Sequence, residues 1–165
     1  MNIFKHFKKK FFSKETITSL LIVVIIFTLD RISKIKIINH QVDNSSIFVN
    51  DYLNFNLIWN TGISFGLLSQ NSNSYYHFIS FIIFLVIIFL IYLIYKANFL
   101  EKSLFSIILG GALGNFYDRI VYFAVPDFID IHINNFHWFT FNIADIFITI
   151  GVFYLISKDL ILNKK

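Results

Sequence analysis

Apolar residues run along this chain in long uncharged blocks. Thr16 to Leu29 carries no charge and stops at Asp30; residues 75 to 95 are interrupted only by His77. Residues 103 to 117 stop at Asp118, and residues 133 to 157 hold a single acid, Asp145. About 20 apolar residues cross a bilayer core as a helix. Four spans are therefore expected, at about 14–34, 75–96, 103–122 and 138–158, within one integral membrane domain. Between the first two spans the period changes to two. Leu53, Phe55, Leu57 and Trp59 alternate with Asn54, Asn56 and Asn60, the pattern of a strand with one apolar face. Asn60-Thr61-Gly62 then reads as a turn. A second alternation sets Ile129, Ile131 and Ile133 against Asp130, His132 and Asn134. The expected fold class is an all-α membrane protein, four transmembrane helices with a small outer-face β-sheet.

Charge orients these spans. Four of them put both termini on one side, with Lys5, Lys8, Lys9, Lys10, Lys14, Lys96, Lys102, Lys158, Lys164 and Lys165. Arg31, Lys34, Lys36 and Arg119 fall on the other side. Lysine and arginine accumulate on the cytoplasmic side of membrane proteins, so both termini are expected there. Asp118 and Asp145 then both lie toward the outer leaflet. The first span follows basic residues as a signal peptide would, but no small-x-small cleavage site follows it, so a retained helix is expected. Trp59 and Trp138 fit interfacial anchors.

Composition agrees. Of 165 residues, 56% are hydrophobic and 15% charged, with mean hydropathy +0.67, too apolar for a soluble domain of this length. The net charge of +4 follows the topology and does not call for nucleic acid. With no cysteine, disulfides, thiolate metal sites and a cysteine nucleophile are excluded.

Two elements carry candidate chemistry: Asn115-Phe116-Tyr117-Asp118 and Asn142-Ile143-Ala144-Asp145. Residues three apart share a helix face, so each of the last two spans presents one amide and one carboxylate. A carboxylate at membrane depth costs a few kcal/mol, so it has a partner or a function. Two carboxylates in a poorly solvated site share one proton. The ionised member can take a proton from water and the protonated member can polarise a carbonyl, which suits peptide hydrolysis. Asp118 has a second reading, that of a helix-end residue paired with Arg or Lys. A small proton- or ion-coupled transporter is the rival function, because intramembrane carboxylates also mark ion pathways. Polar groups gathered at one depth and the lack of a repeat argue against it.

Five motifs, in order over residues 30 to 145, resemble those of the lipoprotein signal peptidases (signal peptidase II). They are Asp30-Arg31-Ile32-Ser33-Lys34, Asn60-Thr61-Gly62-Ile63-Ser64-Phe65-Gly66, and Gly110-Gly111-Ala112-Leu113-Gly114-Asn115-Phe116-Tyr117-Asp118-Arg119. Asp127-Phe128-Ile129-Asp130 and Phe141-Asn142-Ile143-Ala144-Asp145 complete the set. The resemblance implies an intramembrane aspartic endopeptidase of the bacterial cytoplasmic (inner) membrane. Its active site would face outward and cleave prolipoproteins before a cysteine carrying diacylglycerol. It implies Asp118 and Asp145 as the catalytic pair, with Asn60, Gly62, Asn115, Arg119, Asn142 and Ala144 lining the site. Asp30 and Lys34 would support it from the end of the first helix. It further implies a β-cradle on the outer face, contact with membrane lipid, inhibition by globomycin-type compounds and a monomer. Two positions depart from the family pattern: Thr140 precedes Phe141-Asn142 where proline is usual, and Ile146 follows Asp145 where serine is usual.

His132 and His137 could suggest a metal site with the aspartates, but metal ligands need a convergent geometry that sequence does not display, and carboxylates that activate water need no metal. No metal and no cofactor are expected. Gly110, Gly111 and Gly114 suit close helix approach.

Overall fold

The computed structural model describes residues 13–40, 46–61 and 72–162. Among the described residues there are four long helices: α1 (Lys14–His40), α2 (Ser72–Lys96), α3 (Phe99–Tyr122) and α4 (Ile143–Leu162). Within α1, α2 and α3 lie stretches long and apolar enough to cross a membrane, and α4 is 20 residues long. Leu20, Phe89, Ile120 and Phe153 are each more than half exposed. Apolar side chains turned outward on all four helices fit a lipid solvent, and the chain is a multi-pass membrane protein.

α3 touches each of the other three helices. The main core joins Ile87 and Leu90 of α2 to Ile108, Leu109 and Ala112 of α3, with Val23 of α1 and Ile148 of α4 packed against them. Such contact needs small residues at the crossing. A Cβ on Gly111 would stand 2.6 Å from the Ala144 carbonyl oxygen, so α3 and α4 meet backbone to backbone. A Cβ on Gly114 would collide with the Asp30 carboxylate, so the third helix closes on the charged end of α1.

Four antiparallel strands form a sheet in sequence order: β1 (Ile47–Asn50), β2 (Leu53–Asn60), β3 (Val125–Ile133) and β4 (Phe136–His137). The two alternating stretches of the sequence pair with each other, with Phe55 opposite Ile129 and Asn60 opposite Val125. Ile37 of α1 packs with Phe128 and Ile129 of β3, and Phe55, Phe141 and Ile143 lean on that cluster. The sheet therefore rests on the ends of α1 and α4.

Local devices fix both ends of α3 and the approach to α4. Asn98 caps α3 by accepting the Glu101 amide at 3.1 Å. Phe123, with φ 56°, ends the helix in a left-handed residue and turns the chain into β3. After the β3–β4 hairpin, Phe141 bonds back to Ile129 in both directions, at 2.8 and 3.1 Å. That bridge anchors the approach to α4 where proline is missing, and it sets Asn142 beside β3.

Candidate active site

The end of α1 enters the protein interior as a charged group. Asp30 and Lys34, one turn apart on α1, are both fully buried. An ammonium has three donors and no acceptor. Lys34 Nζ spends all three, on Asp30 Oδ2 at 2.8 Å, Asn115 Oδ1 at 2.8 Å and Asp118 Oδ2 at 2.7 Å. Arg31 Nη2 lies 2.6 Å from Asp118 Oδ1, and its guanidinium stands over the Tyr117 ring at 4.8 Å. Two acids and two bases thus form a neutral buried cluster. Such a cluster adds little net stability but is costly to break, because removing one member strands the others without water.

Asp118 is ion-paired through both of its oxygens. The carboxylate is 0% exposed, and each oxygen meets a cation of α1. Arg119, its neighbour in sequence, is not the partner: successive residues of a helix point apart. Arg119 bonds instead to the Asn115 carbonyl at 3.1 Å, while its own carbonyl accepts from Tyr76 Oη. Its guanidinium lies within electrostatic reach of Tyr76, Asp145, Asp127 and Asp118.

Asn115 carries the cluster's order to Asp145. Because Lys34 can only donate, Asn115 must turn its oxygen to Lys34 and its NH₂ elsewhere. That Nδ2 donates to Asp145 Oδ1 at 2.8 Å. Asp145 is also held from its own helix. Asn142 Oδ1 accepts the Asp145 amide and Asp145 Oδ2 accepts the Asn142 amide, both at 3.1 Å. This reciprocal pair is a capping box at the first turn of α4. The Asn142-x-x-Asp145 spacing so starts a helix and fixes a half-buried carboxylate at its positive end.

The same logic points Asn142 at a further acid. With its oxygen taken by a backbone N–H, its Nδ2 donates to Asp127 Oδ1 at 2.6 Å. Asn60, at the end of β2, donates to Asp127 Oδ2 at 2.8 Å. Asp127 is 3% exposed. Burial pushes its carboxyl above the ordinary aspartate value. Hydrogen bonds from Asn60 and Asn142 pull it down, and the charge on Asp145 adds to the rise.

Asn142 therefore joins two carboxylates, Asp127 and Asp145. Of the residues expected at the site, Asn60, Asn115, Arg119, Asn142 and Asp145 gather around this pair. Asp30 and Lys34 stand behind it with Asp118. Ala144 is fully buried and donates its amide to Asp30 Oδ1 at 3.1 Å, which ties α4 to α1. Gly62 lies outside the described residues. Asp127 belongs to the Asp127-Phe128-Ile129-Asp130 motif, and its place in the site is legible only once β3 is registered against β2 and Phe141.

The comparisons with known proteins agree on one family. Residues 22–161 match the family model described as signal peptidase (SPase) II. The lipoprotein signal peptidase of Pelagibacter ubique (strain HTCC1062) is 48% identical over 154 residues, 92% of this chain and 93% of that protein. That of Anaplasma phagocytophilum (strain HZ) is 38% identical over 147 residues, 89% of this chain and 94% of that protein. A bacterial membrane enzyme solved by the in meso method at 2.3 Å superposes with a TM-score of 0.68 at 33% identity, covering 90% of this chain and 92% of that one.

Proposed function

The chain belongs to the signal peptidase II family and is a peptidase, and we propose from that premise that it removes signal peptides from bacterial prolipoproteins. Cleavage falls just before the cysteine carrying diacylglycerol. The reaction uses two carboxylates and water. The observation that carries this reading is the single asparagine, Asn142, bonded to both Asp127 and Asp145.

The roles follow from the contacts. Asp145, half-buried and aligned by Asn115 and its own helix cap, takes a proton from water, whose oxygen attacks the scissile carbonyl carbon. Asp127, whose carboxyl is raised by burial, supplies the shared proton to the carbonyl oxygen. Collapse of the tetrahedral intermediate breaks the C–N bond: the proton held by Asp145 passes to the leaving amine, and one hydroxyl of the intermediate returns its proton to Asp127 as the C=O bond re-forms. Arg119 faces the pair, and its Nε, buried and without a partner among the described residues, becomes a donor for a substrate carbonyl that reaches it. Asp118, expected from the sequence to react with Asp145, serves in this reading as the buried anchor of Arg31 and Lys34.

The lysine distribution and the site of the acids support an inner-membrane protein with its active site toward the outer face. The substrate's lipid and the exposed apolar helix faces share the bilayer, and globomycin-type inhibitors compete for the same site. The chain acts as a monomer. In the test, purified protein receives a diacylglyceryl-modified prolipoprotein and the same precursor without lipid. Release of the signal peptide from the modified form alone, lost in Asp145→Asn, is the expected result. Unchanged turnover by Asp145→Asn, or no cleavage of the modified precursor, contradicts the reading.

A further inference from the structure

Asp130, His132 and His137 form a second polar cluster, apart from the carboxylate pair. His132 on β3 sits directly opposite His137 on β4. Directly opposed residues of an antiparallel pair share a face, and Asp130, two residues before His132, joins them there. Asp127 is three residues before Asp130, so strand alternation turns it the other way. The hairpin closes through the two residues Asn134 and Asn135, with Asn134 at φ 52°, so the cross-strand register is held by a tight turn.

The side chains converge. One ligand atom from each of the three lies within 4.8 Å of the others. His137 Nδ1 is 2.9 Å from Asp130 Oδ2, and the two imidazoles stack at 5.0 Å with 19° between their planes. An Asp–His hydrogen bond explains part of this. It leaves His132 unexplained: that residue is only 9% exposed, and its Nδ1 is buried without a hydrogen-bond partner among the described residues. A buried ring nitrogen without a partner costs free energy that a coordinated cation would recover. The side chain of His137 is 53% exposed, which leaves an approach from solvent.

We propose that Asp130, His132 and His137 bind a divalent transition metal of the zinc class, stapling β4 to β3. Two imidazoles and one carboxylate are borderline donors that suit zinc and disfavour magnesium or calcium, which take oxygen ligands. Ligand atoms sharing one tetrahedral zinc stand about 3.4 Å apart, so the cluster closes by rotamer adjustment alone. Water completes the coordination. The ion would brace the strand that carries Asp127 without touching the carboxylate pair.

Tag-free protein in detergent, stripped with chelator, is titrated with zinc chloride by calorimetry. One saturable site per chain is expected, with a rise in Tm on zinc addition and no binding of magnesium. His137→Gln, at an exposed strand edge, should fold with an unchanged circular dichroism spectrum and weaken zinc at least about tenfold. Asp130→Asn should weaken it as well. Absence of a saturable site in the unaltered chain overturns the proposal, and so does wild-type affinity in both variants.

Discussion

Lys34 has three ammonium protons, and each goes to a different oxygen: Asp30, Asn115 and Asp118. This saturation explains why one side chain matters to stability and to the site alike. Lys34→Met would leave Asp30 and Asp118 charged, buried and partly unpaired, and should destabilise the fold by about 3–5 kcal/mol, read as a lowered Tm in detergent. Asn60 makes a subtler prediction. Its amide lowers the Asp127 carboxyl, opposing burial, so Asn60→Ala should raise that carboxyl further. In the proposed reaction Asp127 must hold a proton. Activity is therefore lost as pH rises through its folded value, and the alkaline limb of the pH–rate profile should move to higher pH in the variant. An unmoved limb would mean that Asp127 is not the proton donor. At this scale the sequence made most of the site's members visible as motif residues but not their division of labour. Asp118 stands next to Arg119 in the chain, yet its cations come from Arg31 and Lys34, 84 residues or more away. Nothing local announces that pairing.

Each element does two things at once. α3 brings Gly111 under Ala144 and Gly114 under Asp30, so the packing face and the polar face of one helix share a stripe. Gly114→Ala drives a methyl into the Asp30 carboxylate, displacing Lys34 and through it Asn115. A misplacement of about 1 Å at a reacting group costs on the order of 100-fold in rate, and a kcat loss of that order is expected. α4 begins with a capping box whose two residues are also the site's bridge and its base. Asn142→Ala should cost about 1 kcal/mol as a lost cap. It should cost far more in kcat, because Asp127 loses the side-chain amide that holds it beside Asp145, whose own bond from the Asn142 backbone N–H remains. A variant with the cap's stability loss and normal kcat would separate the two roles and count against the bridge. The Asn-x-x-Asp spacing was legible in sequence as a shared helix face. In 142–145 it also starts the helix, and in 115–118 the two residues both face Lys34. Identical spacing thus serves different ends, because one copy sits at a helix start and the other near a helix end. The β2 and β3 alternations were legible; the return of Phe141 to Ile129, which aims Asn142 at Asp127, is a long-range register that no periodicity encodes.

Across the whole molecule, charge is sorted by depth and side. Apolar helix faces meet lipid, the Asp30–Arg31–Lys34–Asp118 cluster ties α1 to α3, and the carboxylate pair sits where the sheet meets the start of α4. The absence of cysteine makes the orientation directly measurable. Asn135→Cys, in the β3–β4 hairpin, should react with a membrane-impermeant maleimide in intact spheroplasts, and Ala97→Cys, between α2 and α3, only after lysis. The reverse labelling would invert the topology read from the lysines. The proposed division of labour makes Asp118 an anchor and Asp127 with half-buried Asp145 the reacting pair. Measuring cleavage of the lipidated precursor and Tm side by side in Asp118→Asn and Asp127→Asn tests it most directly. Asp127→Asn should abolish cleavage at an unchanged Tm, while Asp118→Asn should lower Tm and leave measurable cleavage by the folded fraction. Normal turnover by Asp127→Asn, or complete inactivity of Asp118→Asn at an unchanged Tm, would contradict it.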